Sequence, residues 1–221
     1  MKKNRLEAFT DGVFAIVITL LILDLRLPNV AYAELPAALG ALAPAIGVYV
    51  LSFVLIGMYW VFHHHSMTLV HDVDGVLLWL NIIFLLFISF MPFPTMMMGR
   101  YPNHTLPVVV YGCNLLMANL NGFIMLLYLR KNPVLTSPYF TETLYRAQVR
   151  VYLIVNGVYV LLIALAFVSP AAAVVAFAVM GVFLVVRSAV NMGIGRCVIG
   201  GVERTRRDDA QSAALNRAVV Q

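Results

Sequence analysis

Long stretches without charge constrain this sequence more than any other feature. Between Val151 and Val186 no residue is charged, and Glu34 to His63, Gly75 to Gly99 and Thr105 to Leu129 hold three more such runs. A bilayer core of about 30 Å takes roughly 20 apolar residues in helical form. Ser169-Pro170 divides the longest run into two segments of spanning length. The apolar stretch between Asp11 and Asp24, extended by its helical ends, supplies a sixth. The spans expected are 6–26, 35–62, 75–98, 106–130, 143–168 and 171–195, followed by a tail over 197–221. Inside lipid only helices or closed barrels satisfy the backbone. Continuous apolar runs lack the alternation of a barrel strand, so the fold class expected is an all-α, polytopic membrane protein.

Composition agrees. Of 221 residues, 62% are hydrophobic and 11% charged, against about 25% charged in soluble domains. That little charge cannot cover a core with polar surface, which excludes soluble globular and disordered classes. Of the 15 Lys and Arg residues, all but Arg26 and Arg100 fall on one side if the N-terminus is cytoplasmic. The positive-inside rule therefore places both termini in the cytoplasm of a cell membrane. The formal charge of +5 reflects this asymmetry. No basic stripe interleaved with aromatics points to nucleic acid.

Lys2, Lys3 and Arg5, the apolar run Gly12 to Leu23, and Ala31-Tyr32-Ala33 imitate a signal peptide with its cleavage site. Glu7 and Asp11 interrupt that basic region, and Asp24 and Arg26 separate the run from the site. Cys113 and Cys197 lie in different spans at different depths, and they read as packing residues.

The first span opens with ionisable groups: Arg5, Glu7 and Asp11. Arg5 and Asp11 are six positions apart, about 240° round a helix, so they do not face each other. Further on, Ile16, Thr19, Leu20 and Leu23 follow the i, i+3, i+4, i+7 spacing of one face. Any apolar helix contains such a stripe, and Thr19 has its own i−4 carbonyl to bond. The run His63-His64-His65 with His71, Asp72 and Asp74 holds metal-ligand residue types. Consecutive histidines diverge on a helix, however, so the expectation is a wet loop with no metal and no cofactor.

Arg5-x-x-x-Phe9-Thr10-Asp11, followed by this apolar helix, resembles the R-x-x-x-F-S-D signature of the transmembrane-protein-175 family of potassium channels. Tyr59-Trp60-Val61-Phe62-His63-His64 resembles the same family, as does Leu78 to Phe84 running to Pro92-Phe93-Pro94-Thr95. The match covers roughly residues 5–95, and Thr10 stands where the family has Ser.

The resemblance implies a non-enzymatic, potassium-preferring cation channel over residues 1–196. It would be a homotetramer in the bilayer, with the first helices lining a central path. Ile16, Leu20 and Leu23 then align with apolar constrictions, Thr19 with a hydroxyl ring favouring potassium, and Asp24 with the outer mouth. Asp11, turned about 140° from Ile16, faces the second and third helices. Arg5, Phe9, Thr10, Asp11, Trp60, His63, His64 and Asn81 would form an inter-helix polar network. A secondary transporter is the alternative, and a metalloenzyme built on His63–His65 and His71 the third reading.

Overall fold

The computed structural model describes residues 3–188, and these are helical with no β-strand beyond one isolated bridge. Helix α1 (Lys3–Leu20) runs into a 3-10 turn, Leu21–Asp24. After an irregular stretch come α2 (Leu35–Ala41), α3 (Ala43–Thr68), α4 (Gly75–Phe90) and α5 (Pro92–Arg100). Helices α6 (Thr105–Lys131), α7 (Glu142–Val168) and α8 (Pro170–Ser188) complete the described chain. Six helical segments are long and apolar enough to cross a membrane: α1 with its turn, α3, α4 with α5, α6, α7 and α8. The protein is a multi-pass membrane protein of the all-α class. The last part of the sixth span expected from sequence, Cys197 and the tail lie outside the described residues.

Two compact units divide the chain between Val179 and Met180. The first holds α1 to α7 and the start of α8. The second contributes only residues 180–188 to the described structure.

Prolines explain where helices break. The second span, expected as one helix over 35–62, is interrupted at Leu42, because Pro44 has no N–H and its ring crowds the carbonyl four residues back. Pro92 breaks the third span at Met91, whose N–H turns to Ile88 O at 3.1 Å. The helix then resumes as α5. In lipid the chain must keep its backbone paired through such a break. Helix α3 also continues six residues past its expected end, to Thr68, because neither Gly nor Pro occurs between Gly57 and Gly75. That extension puts His63, His64 and His65 on a helix and corrects the loop reading.

Helix α1 packs on α3 and α4, α4 on α6, and α6 on α7. Among the described glycines the tightest surroundings are those of Gly112, where an added Cβ would stand 2.6 Å from Ile163 Cγ1 and 3.1 Å from Phe177 Cζ. Buried hydroxyls link the helices in two directed chains. Thr95 donates to Met91 O at 2.8 Å, so Ser52 must donate to Thr95 at 2.8 Å and Tyr111 to Ser52 at 3.2 Å. Tyr59 donates to Leu115 O at 2.8 Å, so Tyr159 donates to Tyr59 at 3.2 Å. Each hydroxyl has one hydrogen, and each chain ends on a backbone carbonyl. Intramembrane hydrogen bonds of this kind average about 0.6 kcal/mol, so their main effect is to fix register.

Beyond the spans, two connections lock together. His71 N–H donates to Leu135 O at 2.7 Å and Ser137 N–H to Leu69 O at 2.9 Å, flanking the Val70–Thr136 bridge. Asp74 caps α4 by accepting from Leu77 N–H at 2.8 Å, and its second oxygen accepts from the Tyr128 hydroxyl of α6. Burial alone would push the Asp74 carboxyl up. The hydrogen bonds from Tyr128, Leu77 and Val76 outweigh it and hold the group below its ordinary range.

Candidate functional site

Helix α1 has two unlike sides. Leu6, Thr10, Phe14, Val17 and Leu21, spaced by three or four, are all buried against α3 and α4. On the other side Phe9 is 56% exposed, Ile16 59% and Leu23 64%; Leu20, Thr19 and Arg5 are exposed as well. At 100° per residue Ile16 stands about 160° from Phe14. The exposed stripe therefore lies nearly opposite the packed one. A wide apolar face without intramolecular cover must meet lipid, another protein surface or a lumen.

Thr19 is the one hydroxyl on this face. Its Oγ1 lies 3.0 Å from Ala15 O and 2.8 Å from Ile16 O. The single hydroxyl hydrogen is thus directed back into the helix, which leaves the oxygen lone pairs free on the exposed side. Asp24 closes the 3-10 turn at the end of this stripe and is exposed.

The packed side carries the polar residues. Asn81, fully buried on α4, donates from Nδ2 to Thr10 Oγ1 at 2.9 Å. Its Oδ1 must then accept from His63 Nε2 at 2.7 Å, which places the imidazole hydrogen on Nε2. The His63 ring stacks on Phe84 with centroids 5.3 Å apart and has Phe14 at 6.4 Å. Beside this chain Trp60 Nε1 donates to Asp11 Oδ1 at 2.8 Å, and His64 stacks on Trp60 at 5.6 Å.

Thr10, Asp11, Trp60, His63, His64 and Asn81 are therefore brought together where α1, α3 and α4 meet. Arg5 and Phe9 are not: both lie on the exposed stripe, and no hydrogen bond or ion pair ties Arg5 to the described residues. Lys3, by contrast, pairs with Glu7 at 3.7 Å. His65 and His71 stand outside the cluster, His65 edge-on to His64 and His71 exposed. Among the described residues, no three His, Cys, Asp or Glu side chains converge to hold a metal ion.

Sequence reasoning missed the two hydroxyl chains and the Asp74–Tyr128 clamp. An Asp directly before the Gly75 apolar run is a helix N-cap signal that would have located the first half of that clamp. Elsewhere on α6, Asn119 donates to Asn156 Oδ1 and Asn114 to Phe87 O, both at 2.9 Å.

Comparisons with known proteins bear on the same region. Residues 5–92 match the family described as endosomal/lysosomal potassium channel TMEM175. A potassium channel of a Chryseobacterium species is 40% identical over 118 residues, covering 53% of this chain and 60% of that protein. A potassium channel of Streptomyces collinus is 45% identical over 104 residues, covering 45% and 49%. The chain thus spans about half to three-fifths of the length of these relatives. Over most of its length it is similar to the crystal structure of a lysosomal potassium-selective channel TMEM175 homolog from Chamaesiphon minutus. That likeness has a TM-score of 0.76 and 29% identity, and it covers 84% of this chain and 97% of the other.

Proposed function

We propose that this chain is a TMEM175-family potassium-preferring cation channel of a cell membrane, on its similarity to that family over residues 5–92 and to the relatives above. The observation that carries the reading is the uncovered stripe on α1, Ile16, Thr19, Leu20 and Leu23, opposite the packed side. One chain supplies one such helix, and closing a path around it takes symmetric assembly. Four copies form a homotetramer in which the stripes meet on the axis. Residues 1–196 make up the channel, and both termini face the cytoplasm.

Four Ile16 side chains form an apolar collar that gates by dewetting, with Leu20 and Leu23 as further narrow layers. Thr19, one turn along from Ile16, offers four outward-facing oxygen atoms to an ion that has shed part of its water. Potassium surrenders water more readily than sodium, so a weakly coordinating ring favours it. With no cage of backbone carbonyls, the preference is modest. The outer mouth carries Asp24, a ring of four carboxylates that concentrates cations. The Thr10–Asn81–His63 and Asp11–Trp60–His64 contacts hold α1 to the scaffold, so that its stripe keeps one orientation. No cofactor enters the cycle, and the channel performs no enzymatic step. The transporter alternative is disfavoured because the relatives carry channel names.

Potassium flux into proteoliposomes and reversal potentials in mixed potassium and sodium test this. Wild type should pass potassium down its gradient without a coupled substrate, and Thr19→Val should lower the permeability ratio. Equal permeabilities in wild type would remove the filtering role of Thr19, and no flux would refute the channel reading.

A further inference from the structure

We propose that Arg5 lies on the conduction path and makes the pore electrostatically asymmetric, so that cations enter less readily from the Arg5 end. This rests on the reading of α1 as the pore helix.

Helix geometry places Arg5 there. Eleven positions separate it from Ile16, a net turn of about 20°, and seven separate it from Gly12, about 20° the other way. Arg5 therefore continues the line of Ile16 toward the N-terminal end of α1. It is exposed, and among the described residues no ion pair or hydrogen bond holds it.

The charges around it do not cancel it on that line. Lys3 and Glu7 neutralise each other at 3.7 Å. Asp11 is turned about 120° away and lies about 9 Å further along the axis, where it accepts from Trp60. At the other end of α1, Asp24 is exposed and so is Arg26, of opposite sign, so no net positive charge opposes cation entry at the Asp24 mouth. The N-terminal end of α1 adds the positive pole of its helix dipole to Arg5.

In a fourfold assembly this places four guanidinium groups around one mouth. Four unit charges about 10 Å from the axis, in water at about 0.15 M salt, reduce the local cation concentration roughly twofold. At about 0.01 M salt the screening length exceeds that distance and the depletion grows to roughly sevenfold. An arginine reaching from a lipid-facing helix to the headgroups would leave conduction unaffected, so salt dependence separates the two cases.

The experiment is single-channel recording from inside-out patches in symmetric potassium at about 0.15 M and about 0.01 M, on wild type, Arg5→Lys and Arg5→Gln. Wild type should rectify, carrying roughly twofold less current from the Arg5 end at high salt and roughly sevenfold less at low salt. Arg5→Lys should retain this asymmetry, and Arg5→Gln should abolish most of it. A linear current–voltage relation in wild type at low salt would overturn the proposal, as would unchanged rectification in Arg5→Gln. If Arg5→Gln instead lowers tetramer yield on size exclusion while surviving channels rectify as wild type, Arg5 is an assembly residue and the proposal fails. Absence of any wild-type current strikes the channel reading itself, which keeps the two failures apart.

Discussion

Replacing Asn81 by leucine probes the joint between α1 and its scaffold. The side chain is fully buried and makes two hydrogen bonds, to Thr10 at 2.9 Å and to His63 at 2.7 Å. Leucine has a similar volume and satisfies neither. Thr10 loses little, since its hydroxyl can turn to its own helix carbonyl. His63 loses more, because its Nε2–H is held beside Phe84 and Phe14 and Asn81 is the hydrogen-bond partner it has there. A donor stranded in this way costs about 1–3 kcal/mol, and a lost intramembrane bond averages about 0.6 kcal/mol. Asn81→Leu should therefore destabilise the protomer by about 2 kcal/mol, mostly through His63. His63→Phe removes the stranded donor, and replacing both partners by apolar groups of similar shape is close to neutral. The double variant His63→Phe/Asn81→Leu should then be more stable than Asn81→Leu alone, with a coupling of about 1–2 kcal/mol. Unfolding by SDS in mixed micelles, followed by circular dichroism, measures each corner of the cycle. Coupling within about 0.5 kcal/mol of zero would refute the argument, since the two side chains would then not depend on each other.

Gly112→Val should lower the melting temperature in detergent through a packing penalty of about 1–3 kcal/mol. Its Cβ would meet Ile163 Cγ1 at 2.6 Å, and fluorescence-detected size exclusion after heating reads the loss. Asp74 has its carboxyl held below the ordinary range, so it contributes stability above the unfolded carboxyl pKa of about 4 and loses it as pH falls through the lower folded value. Acid unfolding of Asp74→Asn should therefore be less steep than that of wild type over this interval, and identical profiles would contradict the assignment.

The six spans are legible because lipid imposes them: a charge-free run long enough to cross must cross, whatever its neighbours do. Orientation of α1 about its own axis is harder, since almost every side chain beyond Asp11 is apolar and each face looks alike in sequence. Polar residues resolve it. Thr10 marks the packed side, Asp11 lies exposed at its edge within reach of Trp60, and Arg5, six positions from Asp11, falls on the exposed side. The resemblance groups Arg5 and Phe9 with the other signature residues, but helix geometry separates them. Pro44 and Pro92 break the helices they fall in, yet helices resume after both because a membrane span cannot end halfway. His63 to His65 read as a loop cluster only if α3 ends at 62, whereas it runs to Thr68. The hydroxyl chains are not legible in sequence because Ser52 and Tyr111, and Tyr59 and Tyr159, are far apart along the chain. Nothing local announces such partners.

Cysteine scanning along α1 tests the central claim most directly. In a background with Cys113 and Cys197 replaced, Ile16→Cys and Leu23→Cys should be modified by a water-soluble thiol reagent and lose potassium current. Phe14→Cys and Val17→Cys, on the packed side, should remain unmodified in the folded channel. Block through Val17→Cys, or full current after a thiol probe has labelled Ile16→Cys, would contradict a pore lined by the exposed stripe of α1.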